Sequence, residues 1–372
     1  MKTTSIRKAM VPAVAAISLS FALAACGNDD TSSDNGSGGS DSSGAASGLS
    51  GSVAGGGSSA QEQAQSAWRT GFGQDNPDVK LTYDPVGSGT GRENFISGAY
   101  LYAGSDSAMT DDELADAKKT CGADPIEIPV FISPVDVIFN VEGIDDLQLS
   151  PETIANIFNG SITTWDDPAI AADNPDADLP STKIVPVHRS DSSGTTDNFT
   201  DYLEKAAGGA WKTPHSSDWP TTSGESGEGT SGMTDAVKAG DGTIGYADDA
   251  GVQGTGLGVA KIKVGSEYVA PSADGAAAAM AASEPTSGTP DTVITYDLNR
   301  TSDDPSTYPI FLASYEIACP SYDDSNTAAI VKGFLSYMIS ENGQKAAAAN
   351  AFSAELPRDI ADKEQAIIDQ IS

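Results

Sequence analysis

The stretch His188-Arg189-Ser190-Asp191-Ser192-Ser193-Gly194-Thr195-Thr196-Asp197-Asn198-Phe199 holds one arginine, a run of hydroxyls and a glycine, and then passes into residues spaced for a helix. Those residue types in that order are how a chain builds a pocket for an anion. A guanidinium grips two oxygens of a tetrahedral anion at once. Glycine lets backbone N–H groups turn inward, and a helix start leaves its first N–H groups unpaired and partially positive. Asp191 is placed to hold Arg189 by a salt bridge, and a purely structural ion pair is the competing reading. Two further stretches share the pattern of strand, small-residue loop and helix: Gly55-Gly56-Gly57-Ser58-Ser59-Ala60 and Gly87-Ser88-Gly89-Thr90-Gly91. One such loop is weak evidence, because helices generally begin this way. Three in one chain point to an oxyanion held between loops.

Other chemistries fit less well. No Gly-Lys-Ser/Thr follows Gly91, which argues against a nucleoside triphosphate. His188, Asp191 and Ser193 carry triad residue types, but a strand-to-turn path within so short a span splays them, and no Gly-x-Ser-x-Gly elbow surrounds Ser193. No enzyme is expected. Two histidines and no Cys-x-x-Cys give no zinc set, so neither metal nor cofactor is expected.

Asp106, in the small-residue loop Tyr102-Ala103-Gly104-Ser105-Asp106-Ser107-Ala108, looks out of place beside an anion. A carboxylate repels a fully deprotonated anion such as sulfate. It accepts a hydrogen bond from one that keeps a proton, such as hydrogen phosphate. An acceptor left buried without that proton costs about 1–3 kcal/mol, so one residue attracts one ligand and rejects the other. Taken alone, Asp106 reads better as a plain turn or helix-cap aspartate.

The elements that must carry these residues alternate between strands and helices, which argues for an α/β fold. Strands are expected at Val79 to Tyr83, Lys183 to Val187, Gly242 to Tyr246 and Pro309 to Ala318, with two short ones from Ile126 to Val141 around Ser133-Pro134. Capping boxes at Ser59-Ala60-Gln61-Glu62 and Thr110-Asp111-Asp112-Glu113, and Ser150-Pro151, mark helix starts. Phe199, Tyr202 and Leu203 line one helix face. Late helices are expected at Asn326 to Ile339 and Lys363 to Ile371, and loop from Trp211 to Ser231.

Residues 1–25 read as a secretory leader: Lys2, Arg7 and Lys8 precede an apolar run too short to span a bilayer. Leu23-Ala24-Ala25-Cys26 has the form of a lipobox, with Cys26 as the acylated new N-terminus. Residues 26–48 are a Gly/Ser/Asp tether unable to build a core. Loss of the three leader cations takes the formal charge from −33 to −36, which argues against nucleic acid as a partner. Cys121 and Cys319 remain in an exported chain, as a disulfide or as two separate buried thiols.

Ile157-Phe158-Asn159-Gly160-Ser161-Ile162-Thr163-Thr164-Trp165-Asp166-Asp167-Pro168, the run from Val185 to Thr195 with its Arg-x-Asp-x-Ser-Gly-Thr core, Gly242 to Tyr246, Gly87-Ser88-Gly89 and Gly104-Ser105-Asp106 resemble the phosphate-binding lipoprotein of bacterial ATP-binding-cassette phosphate importers. The likeness runs from about Leu49 to the C-terminus. It implies a two-lobed, type II periplasmic-binding-protein-like α/β fold with two crossover strands and the ligand in the cleft. The lobes implied are 49–130 plus 308–372, and 131–307; Cys121 and Cys319 then fall in or near the first lobe, which fits a bridge. Carried over position by position, Ser59 and Ala60 give donors from the first helix start and Ser88 from the second. Asp106 accepts the phosphate proton, Arg189 pairs with the anion oriented by Asp191, and Ser193, Gly194 and Thr195 close the site. The family commonly has Ala-Thr-Phe where this chain has Ser58-Ser59-Ala60, so backbone donors survive but a bulky cover does not. A basic residue often precedes the arginine, and here it is His188. The implied role is that of a monomeric receptor, lipid-anchored on the extracytoplasmic face of the membrane, which captures inorganic phosphate and hands it to permease subunits.

Overall fold

A computed structural model describes residues 48–221 and 224–372; the leader, Cys26 and the tether up to residue 47 lie outside the described residues. Strand β1 (Gly51–Gly57) lies between β2 (Val79–Asp84) and β3 (Tyr102–Ser105), parallel to both. Gly55 to Gly57 therefore belong to a strand, not to a loop. Packing requires it: a Cβ on Gly57, at φ 143°, would sit 2.0 Å from the Gly104 carbonyl oxygen.

Helix α1 (Glu62–Asp75) follows β1, α2 (Ser88–Ile96) follows β2, and α3 (Asp111–Cys121) follows β3. The Thr110 capping box forms as expected, with Thr110 Oγ1 accepting from Glu113 N–H and the Glu113 carboxylate from Thr110 N–H. The Ser59 box does not. Ser58 Oγ accepts from the N–H groups of Ala60 and Gln61 instead, because Ser59 Oγ is engaged across the cleft.

Ile126 to Asn140 form one continuous strand, β4, not two. Pro129 and Pro134 remove donors but do not break it. Its ladder with antiparallel β8 (Phe311–Ala318) runs through both positions, with a register shift at Ser314/Tyr315. From Val135 onward β4 pairs instead with β7 (Thr243–Asp248), which is followed outward by β5 (Val185–Arg189) and β6 (Glu225–Gly227). The sheet order is β2-β1-β3-β8-β4-β7-β5-β6, with the short strand Gly258–Val259 also on β4. Two lobes share this sheet. They are linked by β4 and by the segment entering β8, which lie side by side: Val135 N–H donates to the Ile310 carbonyl at 2.7 Å.

The first lobe is filled by Trp68 edge-on to Phe131 and by Phe72 against Phe334. The second is filled by Phe139 against Trp165, and by Phe158, Phe199 and Tyr246 in mutual contact. Each such buried ring contributes about 1.5–3 kcal/mol. Helix α4 (Pro151–Phe158) starts at the Ser150 cap with Pro151 in its first turn. Helix α5 (Gly194–Ala206) buries Phe199, Tyr202 and Leu203.

Further expectations shift. The segment expected as loop to Ser231 contains β6 and the start of α6 (Gly229–Ala239). Helix α7 is Ser325–Ile339, and an unforeseen α8 (Glu341–Ala351) follows. Its alanine run lacks apolar periodicity, yet alanine favours helix and Ser340 caps it. Helix α9 is Arg358–Ile368 rather than Lys363 to Ile371. A disulfide joins Cys121 to Cys319, Cα–Cα 5.2 Å, beside buried Phe95, Met109 and Ile317.

Candidate functional site: a closed cleft between the lobes

Asp106 lies just past the C-terminal end of β3, which carries it to the floor of the cleft, 3% exposed. Its carboxylate sits in a ring of serines. Oδ2 accepts from Ser58 Oγ at 2.7 Å and Ser88 Oγ at 3.4 Å, and Oδ1 from Ser314 Oγ at 2.5 Å. Ser314 is itself held by Gln61 Nε2 at 2.7 Å. Burial pushes the Asp106 carboxyl above its ordinary value, while the three serine hydroxyls and the charge of Arg189 pull it back.

Arg189 ends β5 and is also buried. Its Nε donates to Asp191 Oδ1 at 2.7 Å and its Nη2 to Asp191 Oδ2, the two-pronged pairing expected from their spacing. Burial would raise the Asp191 carboxyl, but hydrogen bonding and charge from Arg189 outweigh that and hold it below its usual range. Arg189 Nη2 also donates to Ser59 Oγ, on the other lobe, at 3.0 Å. His188 is a satisfied neighbour: Nδ1 pairs with the Arg189 carbonyl oxygen at 2.8 Å, and its ring stacks on Trp219.

The lobes meet closely at α5. A Cβ on Gly194 would fall 2.6 Å from Asp106 Cβ and 2.9 Å from Asp106 Cα, so only glycine permits this approach. Gly89 N–H donates to the Ser192 carbonyl at 3.0 Å. Asn198 Nδ2 donates to the Asp106 carbonyl at 2.7 Å and to that of Gly194 at 2.9 Å, and its Oδ1 accepts from Arg300 Nη2 at 2.6 Å. Arg300, buried, also donates to Asp201 and to the carbonyls of Pro309 and Phe311 at the second crossover. One network thus joins the hinge to the floor of the cleft.

The structure brings Ser59, Ala60, Ser88, Asp106, Arg189, Asp191, Ser193, Gly194 and Thr195 to one cleft, all but Asp191 buried. It also shows which donors are committed. Ala60 N–H is taken by Ser58 Oγ at 3.1 Å, so that donor is not free for an anion as expected. Ser193 N–H goes to the Ser217 carbonyl, and its Oγ caps Thr196. Thr195 Oγ1 is buried without a hydrogen-bond partner. The N–H groups of Ser88, Gly194 and Thr195 occupy the first turns of α2 and α5, where helix geometry leaves donors unpaired. The cleft thus sets helix-start N–H donors beside the buried carboxylate of Asp106.

Sequence reasoning passed over Ser58, Ser314, Asn198 and Thr230. The Ser58-Ser59 pair offers two hydroxyls and no local way to choose between them. Among the described residues no group of histidine, cysteine or carboxylate side chains is arranged to hold a metal ion.

A two-lobed α/β fold with a buried polar cleft between its lobes defines a substrate-binding protein. The chain belongs to the PBP superfamily, whose domain model matches residues 41–342, and within it to the phosphate-binding protein PstS family. It is 36% identical over 316 residues to Phosphate-binding protein PstS 3 of Mycobacterium tuberculosis, covering 84% of this chain and 85% of that one. It is 33% identical over 320 residues to Phosphate-binding protein PstS of Methanocaldococcus jannaschii, 79% of each. A high affinity periplasmic phosphate-binding protein (PfluDING) solved with phosphate superposes with a TM-score of 0.69 at 25% identity, over 85% of this chain and 93% of that one. A phosphate-binding protein from Stenotrophomonas maltophilia shares the fold, with a TM-score of 0.63 at 21% identity over 85% and 94%.

Proposed function

We infer that this protein is an extracytoplasmic receptor that captures inorganic phosphate between its lobes and delivers it to the permease of an ATP-binding-cassette importer. The observation that carries the reading is Asp106: a buried carboxylate ringed by three serine hydroxyls and packed against Gly194, whose neighbour Thr195 has a buried hydroxyl without a partner. Only an oxyanion that still holds a proton satisfies both ends of such a cleft. The names of its relatives point the same way.

Arg189, with Asp191 behind it, supplies the positive charge. Ser88, Gly194 and Thr195 supply N–H and hydroxyl donors, Ser193 its hydroxyl, and Ser59 its backbone N–H. Ala60 shapes the start of α1. The lobes divide at 49–130 plus 308–372, and 131–307, which the change of β4 partner at Val135 supports. Cys26 is the lipid attachment point, supported by the small residues before it and the tether after it. No helix among the described residues is long and apolar enough to cross a membrane. The role is one of binding, not catalysis, and the relatives are named as binding proteins.

Thermal melting tests the capture step. A ligand that binds only the folded chain at a hundredfold above its Kd stabilises it by about 2.7 kcal/mol. Phosphate should raise the melting midpoint and equal sulfate should not. A shift with sulfate alone would replace phosphate by a fully deprotonated oxyanion. Retention of permease subunits on the immobilised protein from solubilised membranes tests delivery, and their absence would leave capture without transport.

A further inference from the structure

We propose that Thr230 and Asp248, which lie outside the set of anion ligands, are positioning residues: they form a relay that fixes Ser59, and through it the Arg189 guanidinium, across the closed cleft. The proposal rests on the phosphate-receptor reading and adds to it a latch made by the protein itself.

Hydrogens and lone pairs fix the direction of each bond in the relay. Thr230 is in the first turn of α6, and Asp248 ends β7 in the same lobe, 1% exposed. Asp248 Oδ2 accepts from Gly251 N–H at 3.2 Å, and Oδ1 accepts from Thr230 Oγ1 at 2.7 Å. With Asp248 ionised, that bond uses the one hydrogen of the Thr230 hydroxyl. At its other contact, 3.1 Å from Ser59 Oγ, Thr230 Oγ1 must therefore accept, which makes Ser59 the donor. Ser59 Oγ in turn accepts from Thr230 N–H at 3.1 Å and from Arg189 Nη2 at 3.0 Å. Its one hydrogen and two lone pairs are then all occupied. The Ser59 hydroxyl has nothing left for an anion, and its task in the closed form is to pin the guanidinium.

Arg189 follows from the same count. Nε and one hydrogen of Nη2 go to Asp191, and the other Nη2 hydrogen goes to Ser59. Among the described residues the Nη1 pair has no hydrogen-bond acceptor, and it is the edge this count leaves for the ligand. Gly229 N–H, donating to Asp191 Oδ1 at 3.0 Å, ties the same helix start to the other side of the ion pair. Ser59 stands on one lobe while Thr230, Asp248 and Arg189 stand on the other, so the relay is complete only when the cleft is shut. It should hold the bound state without affecting encounter.

A double-mutant cycle between Ser59→Ala and Thr230→Val tests this on the purified protein, with phosphate affinity and association and dissociation rates as readouts. Each single change should raise Kd on the order of tenfold, the value of about one hydrogen bond, through faster dissociation with association unchanged. The double variant should be no more than about threefold worse than either single one. Thr230→Ser should restore binding to within about threefold, because it keeps the hydroxyl. Losses that multiply to about a hundredfold, a silent Thr230→Val, or failure of serine to rescue would each overturn the latch. Unfolding of the phosphate-free variants, measured alongside, separates local damage to the second lobe from lost coupling. If the unaltered protein ignored phosphate, the receptor reading itself would fail, and that outcome is distinct from all of these.

Discussion

Replacing Asp106 with asparagine keeps the shape of the cleft floor and changes its chemistry. The carboxylate has about four acceptor positions. Ser58, Ser88 and Ser314 take three of them, at 2.7, 3.4 and 2.5 Å. The fourth remains for a proton on the ligand. In Asp106→Asn one oxygen becomes an NH2 group, which donates where the carboxylate accepted. Phosphate loses a hydrogen bond to a charged acceptor, worth about 1.5–3 kcal/mol, so its Kd should rise about 10- to 150-fold. Sulfate gains a donor and escapes a buried negative charge, so it should bind detectably. Calorimetric titration with each anion, and sulfate competition against phosphate, reads both effects. The reasoning is refuted if the variant holds phosphate within threefold of the parent and still ignores sulfate.

Gly194→Ala places a methyl group 2.6 Å from Asp106 Cβ; overpacking of this kind costs about 1–3 kcal/mol, so phosphate binding should weaken about 5- to 150-fold while the phosphate-free melting midpoint stays put. Glu127, buried on β4 with its Oε1 accepting from Met109 N–H at 2.8 Å, is pushed by burial from 4.5 up to about 7. Its folded value lies above its unfolded one, so its contribution to stability is full below about 4.5 and is lost as pH rises through about 7, a loss on the order of 3 kcal/mol. Melting midpoints from about pH 5 to 8 should therefore fall more steeply in the parent than in Glu127→Gln, and parallel profiles would contradict this. Reduction of Cys121–Cys319, which closes a loop of sequence separation 198, should lower the urea midpoint by an amount equivalent to about 2–5 kcal/mol while calorimetry still finds phosphate binding.

What was legible in the sequence was what is local. Arg189 and Asp191 stand two apart at the end of a strand, and their pairing follows from that spacing. The helix starts at Ser88 and Gly194 announce themselves by glycine and hydroxyl residues. Asp106 was readable only as a loop aspartate until the resemblance placed it, because its partners are remote: Ser314 lies 208 positions away, on β8. Ser59 misled for the same reason. Its local pattern promises a capping box, but its hydroxyl finds better company on the other lobe, and Ser58 Oγ takes the N–H groups of Ala60 and Gln61 just ahead of the helix. The start of α6 passed for loop because Gly227, Gly229 and Gly232 obscure it, and only Met233 and Val237 mark its apolar face. The prolines of β4 suggest breaks where the chain instead makes one continuous strand, one of the two links between the lobes.

The most direct test of the account is calorimetric titration of the unaltered, ligand-stripped protein, first with phosphate and then with sulfate at the same pH and salt. The account predicts saturable one-to-one binding of phosphate and no heat from sulfate at equal concentration. Binding of sulfate with none of phosphate would contradict the role given to Asp106, and with it the identity of the ligand.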